Sequence, residues 1–338
     1  MDLTRGMKEE AASRLSRDCG VNPSTAVSVL LGSAGNMGCV VGVVLMNKYM
    51  QLTHEFEHLI FLTFCHFAFT AVGMRVMLLC GMFEYKAAKS DDVMPVALGS
   101  LSSVGFMNLS LKYNSVGFYQ ISKIACIPLT LLFSYVLEGS APSAPIMATL
   151  VPLGVGLGIA QAHDYEANTL GTAYAAISVV CTVLYQIATS SCQSKLSIDS
   201  NQLLYHTAPL ITVGMLLMCP LFDDFAALRT VDWNIDLVVH ILISCALALG
   251  ANLTNYYVLG LTSPLSYQVL THLKSILTII GSILFFGTRV NPLNILGIFI
   301  ALFGVFSYTE VKRRAAVRSL ERERRRRRDL PMSPTASP

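Results

Sequence analysis

Long apolar runs follow one another along almost the whole chain, separated by short stretches that contain charges, glycine or proline. Each run has roughly 18 to 25 residues, which is enough for an α-helix to cross a hydrocarbon core about 30 Å thick. The runs are continuously apolar, as in residues 293–308, whereas strands of a membrane barrel alternate over about 10 positions. The pattern therefore predicts an all-α membrane protein.

Breaks between the runs predict ten transmembrane helices. The predicted spans cover residues 24–49, 57–81, 93–112, 115–137, 144–162, 169–192, 203–221, 236–260, 263–286 and 291–309. Only residues 112–114 separate the third and fourth spans, and only residues 260–262 separate the eighth and ninth, so each pair should form a tight hairpin. Outside the ten-helix domain, residues 24–310, we expect an N-terminal segment (residues 1–23) and a disordered basic tail (residues 311–338).

The composition agrees with a chain surrounded by lipid. It is 53% hydrophobic and 13% charged, whereas soluble domains carry about 25% charged residues. The N-terminus mixes charges of both signs without an apolar core, so no cleaved signal peptide is predicted. The nine cysteines lie mostly inside apolar runs at no metal-ligand spacing. We expect no disulfide, metal, cofactor or nucleic-acid partner.

The distribution of lysine and arginine predicts the orientation. The tail alone holds ten of them, which places it in the cytosol. With ten spans the N-terminus is cytosolic too, and the cytosolic segments then carry seventeen Lys and Arg residues against three on the luminal side.

A short repeat relates the two halves of the chain. Residues 114–120 and 262–268 share Ser, Tyr and Gln at an offset of 148, and each segment leads to a lysine, Lys123 or Lys274, deep in apolar sequence. If residues 24–162 and 169–310 are five-helix repeats, the odd number of spans inverts the second repeat relative to the first. Inverted repeats place a ligand site near the bilayer midplane, which is the geometry of a transporter.

The two lysines indicate an anionic ligand. By helix rise, Lys123 lies about 12 Å from the luminal end of its span and Lys274 about 16 Å from the cytosolic end of its own. A buried ammonium costs about 2.5 to 3.5 kcal/mol, and the predicted spans contain no carboxylate apart from Glu57 and Asp236, each at the first position of its span. A phosphate that arrives from outside is the natural partner. Lys48 and Arg75 lie nearer the ends of their spans, where a long basic side chain can extend its charge to the membrane surface. For these two residues the sequence therefore allows either this snorkelling or a functional role.

Further polar residues share helix faces with these lysines. Tyr267, Thr271 and Lys274 are spaced i, i+4, i+7, and Tyr119 and Lys123 repeat the i, i+4 spacing. In the eighth span, Asn252, Asn255 and Tyr256 form another polar stripe. Aromatic rings could stack on a nucleobase and amides could read its edge, while hydrogen bonding between helices is the open alternative.

With these residues in view, the sequence resembles the triose-phosphate translocator and nucleotide-sugar transporter branch of the drug/metabolite transporter superfamily. The resemblance is carried by residues 46–48, 114–123, 154–156, 202–205 and 267–274. These segments look most similar to those of the Golgi UDP-rhamnose/UDP-galactose and UDP-xylose transporters. It implies ten helices in two inverted repeats, both termini in the cytosol, a Golgi or alternatively endoplasmic reticulum membrane, and exchange of a nucleotide sugar for a nucleoside monophosphate. A homodimer is an open alternative for the oligomeric state.

The resemblance also completes the candidate site. Sugar-phosphate exchangers of this family have arginine after the ninth-helix lysine, whereas Ser275 follows Lys274 here, which weakens the alternative of a sugar-phosphate/phosphate exchanger. The candidate substrate-binding residues are Lys123, Lys274, Tyr119, Gln120, Tyr267, Gln268, Thr271, Ser275, Lys48, Asn252 and Tyr256.

A membrane-embedded enzyme is the competing class. Its candidate would be the cluster of His54, Glu55, Glu57 and His58 in the first luminal connection. We interpret this cluster as a solvated turn and expect a transporter.

Overall fold

The computed structural model describes residues 23–114, 118, 122–138, 142–161, 168–223, 225–287 and 291–329. These residues form helices and connections, without a strand among them. The ten longer helices are α1 (Pro23–His54), α2 (Leu59–Leu79), α3 (Ser90–Tyr113), α4 (Cys126–Glu138), α5 (Ala144–Gln161), α6 (Thr169–Leu196), α7 (Ser200–Phe222), α8 (Ile235–Leu261), α9 (Pro264–Phe286) and α10 (Pro292–Asp329). A short helix, Phe225–Thr230, precedes α8.

The lengths of these helices confirm an all-α membrane protein. In the described part of the chain, eight helices are long and apolar enough to cross a membrane, and α4 and α5 are shorter apolar helices. The predicted fourth span, residues 115–137, lies partly outside the described residues, and α4 begins only at Cys126. Ten complete crossings therefore stay a prediction.

The connection between α8 and α9 is the tight hairpin that the sequence predicted. The α8 helix ends at Leu261 and α9 begins at Pro264. The Ser263 hydroxyl accepts a hydrogen bond from the Ser266 main-chain N–H, and proline occupies the first turn, where its missing N–H costs nothing. This start fixes the register of α9.

The last helix extends further than expected. We predicted disorder from residue 311, but α10 continues to Asp329. Arginine, glutamate, alanine and leucine are strong helix formers, and this segment consists largely of them. Glu310 also accepts hydrogen bonds from Arg313 at 2.8 Å and Arg314 at 2.6 Å, pairs that stabilise one face of a helix. Residues 1–22 and 330–338 lie outside the described residues.

Four helix pairs provide most of the packing, namely α5 with α10, α3 with α6, α1 with α8, and α2 with α7. The α5–α10 crossing is so close that a Cβ on Gly156 would lie 2.3 Å from the Ala301 nitrogen, and one on Gly297 would lie 2.4 Å from the Ala160 nitrogen. Glycine lets the two backbones approach this closely. Gly156 belongs to a glycine-rich run, residues 154–158, and lies directly at this crossing.

The outer surface is apolar. On α10, Phe299, Phe303 and Phe306 form a stripe whose members are 65 to 76% exposed. Exposure of such a stripe to water would be energetically unfavourable, whereas contact with apolar lipid tails is favourable. The polar side chains discussed next lie inside this apolar shell.

Candidate substrate site

Lys274 lies in the middle of α9 and is buried, with 6% of its surface exposed. Its Nζ lies 3.2 Å from the Tyr267 hydroxyl and 4.7 Å from the centre of the Tyr267 ring. Tyr267 precedes Lys274 by two helical turns, so the two side chains share the face that the i, i+7 spacing predicted. The ring gives the ammonium a cation–π contact in addition to the hydrogen bond.

Asn36 of α1 is the second partner of Lys274, and the sequence did not reveal it. The Lys274 Nζ donates to Asn36 Oδ1 at 2.8 Å, and Asn36 is fully buried. The Asn36 amide donates in turn to Asn255 Oδ1 at 2.7 Å and to Thr254 Oγ1 at 3.0 Å. Tyr267 donates its hydroxyl proton to Asn255 as well. The four residues Lys274, Asn36, Asn255 and Tyr267 thus form a closed hydrogen-bonded ring, which we call the lysine ring.

The lysine ring joins three helices through neutral dipoles. Asn36 belongs to α1, Asn255 to α8, and Lys274 and Tyr267 to α9. None of the ion pairs found among the described residues includes Lys274. Amide and hydroxyl oxygens stabilise an ammonium only in part, because a buried charge is best compensated by an opposite charge. The ring therefore holds a cation in place without neutralising it.

Lys123 lies near this ring. Its side chain is half-buried, and it is close enough to Lys274 and to His272 for its charge to act on both. His272, which is 1% exposed, has no hydrogen-bond partner for its Nε2 atom in the described structure. The two predicted lysines are thus close enough for their charges to interact.

The predicted Tyr-Gln pairs have different outcomes. Gln268 is buried and donates to Gln186 Oε1 at 2.8 Å, which ties α9 to α6. Tyr119 and Gln120, their counterparts in the first half, lie outside the described residues. Their roles stay predictions.

Four other candidates make contacts away from the Lys274 ammonium. Thr271 and Ser275 bond to main-chain oxygens one turn earlier, at 3.0 and 3.3 Å. Asn252 donates to Thr70 of α2 at 3.1 Å, and Tyr256 lies 3.0 Å from the Thr207 hydroxyl of α7. The contacts of Asn252 and Tyr256 join helices, whereas those of Thr271 and Ser275 lie within α9.

Lys48 is remote from the lysine ring. Its Nζ lies 4.9 Å from the centre of the Phe286 ring, near the ends of α1 and α9. Twelve residues separate it from Asn36 along α1, which corresponds to about 18 Å of helix rise. A role for Lys48 in the same site would require substrate that extends along α1.

Arg75 lines an open cavity of about 400 Å³ between α2 and α7. Its guanidinium donates to the Tyr205 hydroxyl and lies over the Tyr205 ring, 5.8 Å from the centre. The cavity is lined by Ala71, Val72, Arg75, Tyr205, His206 and Pro209. None of the lysine-ring residues is among them, so the cavity is a separate feature.

The fold defines a polytopic α-helical membrane protein with a buried, polar, lysine-containing centre. The chain belongs to the triose-phosphate transporter family, whose model matches residues 39–309. It is therefore a transporter and not an enzyme.

Among its relatives, UDP-xylose transporter 3 of Arabidopsis thaliana is 34% identical over 272 residues, which cover 80% of this chain and 76% of that protein. UDP-rhamnose/UDP-galactose transporter 2 of the same plant is 33% identical over 290 residues, covering 84% and 83%. A crystal structure with 14% identity superimposes on 86% of this chain and 99% of its own, with a TM-score of 0.69, which shows a common fold.

Proposed function

We propose that the protein exchanges a cytosolic UDP-sugar for luminal UMP by alternating access, across a Golgi membrane. The observation that carries this proposal is the buried Lys274 ammonium, which meets an amide and a hydroxyl but no carboxylate among the described residues. The names of the relatives point to UDP-sugars as the cargo class.

The charge of the centre favours a phosphate-containing cargo. Lys123 and Lys274 repel each other, and a diphosphate between them would turn repulsion into two attractions. Each charge-assisted hydrogen bond to phosphate contributes about 1.5 to 3 kcal/mol. The same energetics would oppose the crossing of an empty carrier, because the Lys274 ammonium would then cross without an opposite charge.

An inverted repeat is supported by the packing. If α1 to α5 are exchanged with α6 to α10, the pair α3–α6 becomes α8–α1, α3–α7 becomes α8–α2, and α4–α6 becomes α9–α1; all of these pairs are in contact. The pairs α2–α7, α4–α9 and α5–α10 exchange onto themselves and are also in contact. Such pairing is expected of two five-helix halves related by a pseudo-twofold axis in the membrane plane.

The orientation follows from the basic residues. The C-terminal segment from residue 312 carries ten lysines and arginines, and clusters of this kind stay on the cytosolic side. With an even number of spans, both termini lie in the cytosol.

The test is exchange by purified protein in liposomes preloaded with UMP. We expect Lys274→Ala and Lys123→Ala to lower UDP-sugar uptake by roughly 10- to 100-fold, the loss of one charge-assisted contact. Lys195→Ala, an exposed lysine at the end of α6, serves as the matched control and should exchange at the parent rate.

The proposal fails if the two variants, inserted in the same amount as the parent, exchange as fast as the parent. Competition separates it from sugar-phosphate exchange, which would use the same lysines. UMP should inhibit uptake in the proposed case, whereas inhibition by inorganic phosphate alone would favour the alternative.

A further inference from the structure

Three metal-ligating side chains meet where α1 ends and α8 begins. His54 is the last residue of α1, while Asp236 and His240 lie one turn apart at the start of α8. One ligand atom from each of the three falls within 4.8 Å of the others. We propose that His54, Asp236 and His240 form a binding site for a divalent transition-metal ion such as Zn²⁺.

The spacing of the three groups suits a single ion. His54 Nε2 lies 3.2 Å from Asp236 Oδ2, and ligand atoms about 2.0 to 2.1 Å from a tetrahedral zinc ion are about 3.3 Å apart. The ring centres of His54 and His240 are 5.6 Å apart. Two imidazoles on one tetrahedral ion have ring centres about 5 Å apart by the same geometry.

His54 supplies the observation that points to a ligand. Its side chain is 10% exposed, and its Nε2 atom is buried without a hydrogen-bond partner in the described structure. The nitrogen is close to the Asp236 carboxylate, but the two are not aligned as donor and acceptor. A buried polar nitrogen of this kind is costly, and a metal ion in the plane of the ring would satisfy it.

His240 is held in the manner of a ligating histidine. Its Nδ1 donates to the Asp236 main-chain oxygen at 2.7 Å, which leaves the lone pair on Nε2. Metal-binding histidines commonly donate their other N–H to a carbonyl or carboxylate, and this bond fixes the ring. The Tyr49 ring packs at 4.9 Å from His240 and 6.3 Å from His54 and supports both.

The ligand set indicates the class of ion. Two imidazoles and one carboxylate suit zinc and other first-row transition metals, whereas calcium and magnesium prefer oxygen ligands alone. Because His54 ends α1 and the other two ligands begin α8, a bound ion would tie these helices together.

The experiment measures Zn²⁺ binding by the purified full-length protein in detergent, by competition with a chromogenic zinc chelator. We expect one ion per chain and a zinc-dependent rise in melting temperature. His54→Gln, Asp236→Asn and His240→Gln should each weaken binding at least 10-fold. His58→Gln replaces a histidine of the same connection outside the site, and it should bind zinc like the parent.

The elution profile in size-exclusion chromatography and the melting temperature without zinc identify any variant that does not fold. The zinc affinities of the remaining variants and of the parent then test the site. Absence of saturable one-to-one binding would overturn the proposal. Zinc held elsewhere, for example by the free cysteines, would survive all three substitutions and would overturn it equally.

Discussion

Asn36 distinguishes a substrate role of Lys274 from a packing role. In Asn36→Asp, a carboxylate of nearly the same shape would replace the amide oxygen that lies 2.8 Å from the Lys274 Nζ. The lysine would then have an internal counter-charge that competes with substrate phosphate. We expect the KM for UDP-sugar to rise roughly 10-fold or more, the effect of losing a charge-assisted contact. The measurement is the concentration dependence of uptake into UMP-loaded liposomes.

The matched control for this substitution is Asn108→Asp. Asn108 lies on α3, is half-buried and donates to Thr63 at 3.3 Å. The substitution therefore places a carboxylate in the membrane part on a helix that contributes no residue to the lysine ring. An unchanged KM in Asn36→Asp, or an equal rise in both variants, would contradict a substrate-binding role for Lys274.

At the residue scale, the sequence predicted the two lysines and the face that Lys274 shares with Tyr267, but not the contact of Lys274 with Asn36. Lys123 and Lys274 could be identified because a lysine deep in an apolar run is costly wherever it points. Asn36 could not, since an asparagine in a small-residue stretch equally well joins two helices, and its bond to Lys274 spans 238 positions. The contact of His54 with Asp236 and His240 could not be predicted for the same reason, because these residues are far apart in the sequence. The sequence instead grouped His54 with its neighbours Glu55, Glu57 and His58.

At the scale of elements, two glycines of α5 provide a test of helix packing. In Gly156→Ala, the new Cβ would lie 2.3 Å from the Ala301 nitrogen of α10, a main-chain atom that cannot move aside alone. We expect the free energy of unfolding to fall by about 1 to 3 kcal/mol, which is typical of overpacking. Gly158→Ala meets no atom within 4 Å and should be neutral or stabilising by up to about 1 kcal/mol.

The measurement is the melting temperature of each purified variant in the same detergent. A clearly lower value for Gly156→Ala alone would support the close α5–α10 crossing. Equal melting temperatures for the two variants would be inconsistent with it.

Element positions were predictable where apolar length decides them. The predicted span at residues 236–260 corresponds to Ile235–Leu261, and that at residues 263–286 to Pro264–Phe286. The end of α10 was not predictable from apolar length, because residues 311–329 have high helix propensity as well as high charge. Apolar length defines where a helix leaves the membrane, but it does not define where that helix ends.

At the scale of the whole molecule, the sequence suggested the halves but not their contacts. The count of spans implied inversion, whereas the pairing of α3 with α6 and of α1 with α8 depends on helix rotations that no local pattern encodes. These pairs matter because the lysine ring joins α1 of one proposed half to α8 and α9 of the other.

This arrangement predicts that transport is coupled to exchange. An empty carrier would move the Lys274 ammonium through the membrane without an anion, and a buried ammonium costs about 2.5 to 3.5 kcal/mol. We therefore expect UMP efflux from loaded liposomes to be on the order of 10- to 100-fold faster with external UDP-sugar than without it. In Lys274→Gln, which keeps a polar side chain but removes the charge, this ratio should fall towards one even if total flux is low.

Each efflux rate is normalised to inserted protein, with Lys195→Gln as the charge-matched control. A parent protein that releases UMP equally fast with and without external substrate would show that return of the empty carrier is not rate-limiting, and the uncompensated charge would then not govern the cycle.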